Sequence, residues 1–90
     1  MQNKIIDLIS GLNESALKVD GFDDSIIGIA TINGTSVVAY SVELMVKTLM
    51  DRDGMTRHDA EEYIEFNIKG AMMGENSPAF VEVIDCDPRP

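Results

Sequence analysis

The segment from Ser41 to Gly74 limits the choice of folds more than any other, because its apolar residues repeat at helical spacing and are interrupted once. The apolar positions of its first half are Val42, Met45, Val46, Leu49 and Met50. Those of its second half are Ala60, Tyr63, Ile64, Ile68 and Ala71. Asp53 and Gly54 separate the halves, and Ser41 and Thr56 are suited to cap the two N-termini. The pattern predicts two amphipathic helices, each with one buried face.

A β-hairpin is predicted immediately before this helix pair. Asn33 and Gly34 tolerate the positive φ angles of a type I′ turn, and the flanking strands run from Ser25 to Ile32 and from Thr35 to Tyr40. The residues that a two-residue turn sets opposite each other are Ile32 and Thr35, Ala30 and Val37, and Ile29 and Val38. Gly28 indicates a bulge or a close backbone approach. Because the first strand is apolar at most positions, we expect it to be the central strand.

The remaining segments complete a small α+β domain. A first amphipathic helix is predicted from Asn3 to Lys18, and a final strand from Pro78 to Ile84. The apolar face of that helix is Ile5, Leu8, Ile9, Leu12 and Ala16. We therefore predict one domain over residues 1–90, with a small antiparallel sheet of about three strands and all helices packed on one face. Residues 85–90 are predicted to form a flexible tail.

Charge and composition narrow the classes of function. The chain has 16 acidic and 7 basic residues, a net charge of −9, which disfavours direct binding to nucleic acid. No apolar run is long enough to span a membrane, and the N-terminus lacks the pattern of a secretory signal. A single cysteine, Cys86, fits a reducing cytoplasm, where we expect the protein to be located. The acidic surface either keeps the chain in solution or matches a basic partner.

We predict no catalytic residue, no metal and no cofactor. His58 is the only histidine, and it lies one turn before Glu61 and Glu62, so a metal pair is geometrically feasible although an exposed surface histidine is the commoner case. The neighbouring carboxylates Asp23 and Asp24 more often serve turn chemistry than acid–base catalysis. No glycine-rich phosphate loop and no nucleophile elbow is present.

Asn67 is the residue that apolar packing does not explain, because it falls near the middle of the second apolar stripe. A buried amide must have its hydrogen bonds satisfied, so we predict an internal clasp on a backbone turn or, as the alternative, a pocket floor. Glu75 and Asn76, in the turn before the last strand, belong to the same predicted pocket or clasp.

A group of apolar residues lies off the buried faces and is suited to self-association: Leu44, Phe66 and Met73, with Met55 and Met72 nearby.

Five stretches resemble a family of small uncharacterised proteins of tailed bacteriophages and bacteria. They are residues 20–29 (DGFDDSIIGI), 37–41 (VVAYS), 49–56 (LMDRDGMT), 60–71 (AEEYIEFNIKGA) and 74–78 (GENSP). The resemblance covers roughly residues 20–80 and implies a phage or bacterial cytoplasmic setting. It transfers no activity.

The leading hypothesis is a non-enzymatic acidic binding protein, an inhibitor of a host defence or nucleic-acid-processing protein. The acidic face expected to meet a basic host protein is Asp20, Asp23, Asp24, Glu61, Glu62 and Glu65. The alternative is a homo-oligomeric module that sequesters a small nucleotide signal, with helix N-termini as amide donors. A metal-dependent enzyme that uses Asp23, Asp24 or His58 is the third hypothesis.

Overall fold

The computed structural model describes residues 4–82, so the predicted tail, Cys86 and the end of the predicted last strand lie outside the described residues. Its elements are helix α1 (Lys4–Leu12), a 3₁₀ turn (Asp23–Ser25), strands β1 (Ile26–Ile32) and β2 (Thr35–Ser41), helices α2 (Val42–Asp53) and α3 (Arg57–Tyr63), a π-helical segment (Ile64–Lys69) and strand β3 (Ala79–Val81). The α+β class predicted from the sequence is confirmed.

The hairpin has the predicted turn and the predicted register. Asn33 (φ 52°) and Gly34 (φ 82°) both adopt positive φ, as a type I′ turn requires. The three predicted cross-strand pairs are all present. The register shifts between Ile26 and Gly28, which confirms the bulge, and a side chain at Gly28 would meet open space rather than a close backbone.

The sheet differs from the prediction in strand order and in the direction of its last strand. The order is β1-β2-β3, so β1 is an edge strand and β2 is central. Residues Val37 to Tyr40 of β2 are buried, as expected of a strand with neighbours on both sides, whereas β1 is partly exposed. β3 pairs parallel to β2, not antiparallel. The helices between them form the long crossover that parallel pairing requires, and residues 70–78 bring the chain back to the hairpin end of the sheet.

One hydrophobic core joins the three helices to β1 and β2. Its buried members are Ile9, Val19, Phe22, Ile26, Val38, Tyr40, Met45, Val46, Leu49, Ala60, Ile64 and Ile68. The caps predicted for α2 and α3 are present: the Leu44 amide donates to Ser41 Oγ (3.2 Å) and the Asp59 amide to Thr56 Oγ1 (3.1 Å). Gly54 ends α2 with a left-handed φ of 71°, so the predicted break between the helices is confirmed.

The first helix is shorter than predicted because Asn13 ends it. α1 stops at Leu12, and the Ser15 amide donates to Asn13 Oδ1 (3.1 Å), a local side-chain bond that competes with helical pairing. Leu8 and Leu12, predicted to lie on the buried face, are exposed, and of the predicted face only Ile9 is fully buried.

The helix that follows Thr56 changes its geometry after Tyr63, and this change corrects the prediction for Asn67. Its buried residues Ala60, Ile64 and Ile68 repeat every four positions. A π-helical turn is wider than the 3.6 residues of an α-helix, so a four-residue repeat stays on one face. Asn67 is exposed in consequence, so its amide is not a buried clasp, and the residue lines a surface groove together with Tyr63 and Phe66.

Candidate functional site

Helix α3 and the π-helical segment form one continuous stretch, Arg57 to Lys69, which we call the α3–π ridge. Two grooves border this ridge, and they have no lining residue in common. The glutamate groove, about 420 Å³, is lined by Val42, Glu43, Val46, Glu61, Ile64, Glu65, Lys69 and Glu82. The aromatic groove, about 370 Å³, is lined by Met55, Asp59, Glu62, Tyr63, Phe66 and Asn67. The ridge therefore presents carboxylates toward both grooves.

Four glutamates share two cations at the glutamate groove. Arg57 binds Glu43 with both guanidinium nitrogens (3.0 and 2.7 Å) and lies 3.7 Å from Glu61. This bidentate contact ties the start of α2 to the start of α3. The ion pairs at the other end of the groove are Lys69 with Glu65 (3.3 Å) and Lys69 with Glu82 (3.7 Å). Four carboxylates and two cations give these ion-paired residues a net charge of −2, and Lys47, one turn after Glu43, adds a positive charge nearby.

The Arg57 contact also sets the titration of Glu43. The hydrogen bonds from the guanidinium, helped by its charge, hold the pKa of the Glu43 carboxyl below its ordinary value. We expect a carbon-13 NMR titration to show this lowered pKa, and we expect the Arg57→Gln variant to return it toward the ordinary range. An unchanged Glu43 pKa in that variant would show that the bidentate contact is not formed in solution.

The aromatic groove carries the most exposed aromatic side chain of the described residues. Phe66 is 73% exposed, and Tyr63 beside it is partly exposed. The acidic members of the groove are Asp59 and Glu62, of which Glu62 lies 3.3 Å from His58 Nε2 one turn earlier. An exposed aromatic ring bordered by carboxylates is suited to contact the aliphatic stem and the charge of a lysine or arginine side chain.

The six acidic residues predicted to bind a partner do not lie on one surface of the structure. Glu61 and Glu65 line the glutamate groove, and Glu62 lines the aromatic groove. The other three, Asp20, Asp23 and Asp24, are exposed on the loop before β1 and line neither groove.

Arg52 fastens that acidic loop to the end of α2. Its guanidinium donates to the Gly21 carbonyl oxygen (2.9 Å) and lies 5.1 Å from the centre of the Phe22 ring. Arg52 therefore holds this loop in place, although the carboxylates of the loop line neither groove.

A clasp does exist, but Asn13 and Asn76 form it rather than Asn67. Asn13 Nδ2 donates to the Ser36 carbonyl oxygen (2.9 Å) and to Asn76 Oδ1 (2.9 Å). The Leu17 amide donates to the Asn76 carbonyl oxygen (3.0 Å). Asn76 and the exposed Glu75 line a polar groove at the hairpin end of the sheet. Asn76 thus forms hydrogen bonds to Asn13 and Leu17, whereas the prediction named Asn67 as the clasping residue.

The role of Asn13 was not predicted, because the apolar spacing placed this residue inside a longer helix. The sequence does contain a signal for it, since an asparagine with a serine two residues later favours an Asx turn. Arg57 and Lys69, the cations of the glutamate groove, were also missed. Glu61 and Glu65 lie four residues from these cations, a helical spacing that the sequence shows, whereas Glu43 and Glu82 come close to them only in the folded chain.

The exposed apolar group predicted from the sequence is present in part. Leu44, Phe66 and Met73 are exposed, whereas Met55 and Met72 pack partly against the core. Within residues 4–82, no three histidine, cysteine or acidic side chains converge as a metal site would require. The longest described α-helix has 12 residues, and no helix of the described part is both long and apolar enough to cross a membrane.

Comparison of the chain with protein-family models, with curated proteins and with solved structures gives no match. The resemblance to phage and bacterial proteins therefore stays a prediction.

Proposed function

We propose that the chain is a non-enzymatic binding protein whose α3–π ridge receives a basic surface of a partner protein. The observation that carries this proposal is the position of Phe66, an exposed aromatic residue on a ridge bordered by two acidic grooves. Aromatic residues are enriched in the cores of protein interfaces, and surrounding charges select the partner and speed the encounter.

The charges at the glutamate groove favour a cationic occupant. Arg57 and Lys69 are each already engaged by two glutamates, and these six residues keep a net charge of −2, which Lys47 beside Glu43 offsets only in part. A nucleotide would bring phosphate next to Glu61 and Glu65, so the nucleotide-sequestering module fits this groove less well. Lysine or arginine side chains of a partner would relieve the excess charge, with their aliphatic stems against the partly buried Val42.

A partner that itself binds nucleic acid fits this surface well, because such a protein carries a basic groove. Occupation of that groove by the ridge would compete with its nucleic acid, and the chain would then act as an inhibitor. In the phage or bacterial setting that the resemblance implies, a host defence or nucleic-acid-processing protein is the partner class we propose.

The proposal is tested with immobilised chain, a bacterial lysate and two matched pairs of variants. We expect the double variant Glu61→Gln/Glu65→Gln to lose the basic proteins that the wild-type chain captures. Phe66→Ala should lose them as well. The control Glu14→Gln/Asp51→Asn removes the same charge at exposed positions outside both grooves and should still capture the basic proteins. The control for Phe66→Ala is Met73→Ala, which removes an exposed apolar side chain elsewhere and should also still capture them.

Ionic strength provides the second measurement. Capture should fall steeply between about 0.1 M and about 1 M salt, as the screening length drops from about 10 Å to about 3 Å. Capture that is indifferent to salt and to the ridge variants would overturn the proposal. Thermal stabilisation by a nucleotide, about 2.7 kcal/mol at a hundredfold excess over its dissociation constant, would instead support the sequestering module.

A further inference from the structure

Strand β1 presents an open edge that the α3–π ridge does not use. In the described part of the chain β1 pairs only with β2, so its other side faces no strand. It spans seven residues, Ile26 to Ile32, and contains no charged residue and no proline. Proteins usually protect such an edge with lysine, proline or a very short strand, because its unpaired amides and carbonyls can pair with another chain.

The hairpin register identifies which backbone groups are open. A type I′ turn is closed by a hydrogen bond between Ile32 and Thr35, and the ladder then alternates along the antiparallel pair. Ala30 accordingly directs its amide and carbonyl toward β2, whereas Ile29 and Thr31 direct theirs away from the sheet. The bulge between Ile26 and Gly28 limits the regular open edge to the part after it.

The side chains around this edge are apolar and exposed. Ile27 and Ile32 are 45% and 49% exposed, and Leu8 and Leu12 of α1, which contacts β1, are also exposed. The edge strand and the helix beside it therefore each carry exposed aliphatic surface. Burial of such a surface favours association.

The neutrality of β1 and its ability to pair with an identical strand favour a second copy of the chain as the occupant. The chain has a net charge of −9, so two copies repel each other across most of their surfaces. β1 is a neutral segment, and contact through it keeps the acidic ridge of each copy away from that of the other. A two-fold symmetric contact also requires a patch that complements itself, and an antiparallel pair of identical strands meets that requirement.

We propose that β1 pairs antiparallel with β1 of a second copy, about a two-fold axis at Ala30, to form one continuous six-stranded sheet. In this register Ile29 of each copy faces Thr31 of the partner subunit, which gives four hydrogen bonds between backbones. Ala30 faces its own counterpart as a close pair without hydrogen bonds, and its small side chain permits that approach. The inference is independent of the ridge and of any other partner.

Sedimentation equilibrium of the full chain over a range of concentrations tests this dimer. The wild-type chain is expected to reach twice its monomer mass. Thr31→Pro removes one outward amide from each copy, and proline is tolerated at an edge position whose amide faces away from the sheet. We expect it to raise the dimer dissociation constant about tenfold or more. The matched control Thr31→Val keeps the amide and should dimerise like the wild type.

A second variant covers the case in which Thr31→Pro fails to fold. Ala30→Lys places two like charges against each other at the two-fold axis and leaves the pairing with β2 intact. Far-ultraviolet circular dichroism checks that each variant is folded. A wild-type chain that stays monomeric would overturn the proposal, and so would a dimer that survives both substitutions. If the wild type is monomeric but Thr31→Pro loses a captured partner, the edge receives a strand of another protein instead.

Discussion

Replacement of Ile64 by alanine is expected to lower the free energy of unfolding by about 2–5 kcal/mol. Ile64 is 1% exposed and packs in the core that joins the helices to the sheet, so truncation removes buried apolar surface and leaves a cavity. The free energy of unfolding of a single small domain is only about 5–15 kcal/mol, so this change is a large fraction of the stability of the chain. Urea denaturation followed by circular dichroism measures it.

Asn67→Ala is the matched control, because it lies one turn along the same ridge but on the exposed side. We expect it to change the free energy of unfolding by less than about 0.5 kcal/mol. A loss of about 1–3 kcal/mol would instead show that the amide is a buried clasp, as its position in the apolar stripe predicts. The pair of variants therefore tests the four-residue repeat of the π-helical segment.

Tyr40→Phe is expected to lower the free energy of unfolding by about 1–3 kcal/mol. Tyr40 lies fully buried in β2, and its hydroxyl oxygen accepts a hydrogen bond from the Val19 amide (2.8 Å). Phenylalanine keeps the ring in the core but leaves that buried amide without an acceptor. Tyr63→Phe is the control, since Tyr63 is partly exposed on the ridge, and it should leave stability nearly unchanged.

Ionisation of the Tyr40 phenol is expected to make the stability of the fold depend on pH in the alkaline range. Burial, chiefly, raises the pKa of the Tyr40 phenol, and the nearby charges of Asp23 and Asp20 add to this. In the unfolded chain the phenol titrates near about 10, so the folded state binds more protons above that pH. The stabilisation is complete below the unfolded pKa and is lost as pH rises through the folded pKa. We expect stability to fall more steeply at alkaline pH in the wild type than in Tyr40→Phe; parallel curves would contradict this.

Short-range chemistry in the sequence determines much of this fold. The type I′ turn, its register and the caps at Ser41 and Thr56 each depend on a few neighbouring residues, and all were predictable. The class followed from the same elements, because the hairpin and the amphipathic helices each need a partner surface for one apolar face.

Strand order and direction depend on longer-range contacts. Apolar composition suggested that β1 is central, but composition does not reveal which strand has two neighbours. The direction of β3 depends on where residues 70–78 return, and the clasp between Asn13 and Asn76 holds that return at the hairpin end. Such a contact spans 63 positions of the chain and leaves no local pattern.

The candidate site was predictable only in its acidic half. Exposed glutamates on the second helix of the pair follow from the helical period, and Glu61 and Glu65 lie at a groove. The bidentate contact between Arg57 and Glu43 joins two helices across Gly54, so sequence spacing alone does not indicate it. The exposure of Phe66 was predicted, whereas the groove beside it depends on the geometry of the π-helical segment.

The π-helical segment bears on how the length of this chain can vary. Removal of one residue between Ile64 and Ile68 would turn a four-residue step into a three-residue step, which an ordinary α-helix also places on one face. The core could therefore be kept by a chain one residue shorter. The additional residue changes only the outward side of the ridge, where Phe66 and Asn67 stand. Insertions and deletions at this point would alter the exposed side of the ridge and leave the hydrophobic core unchanged.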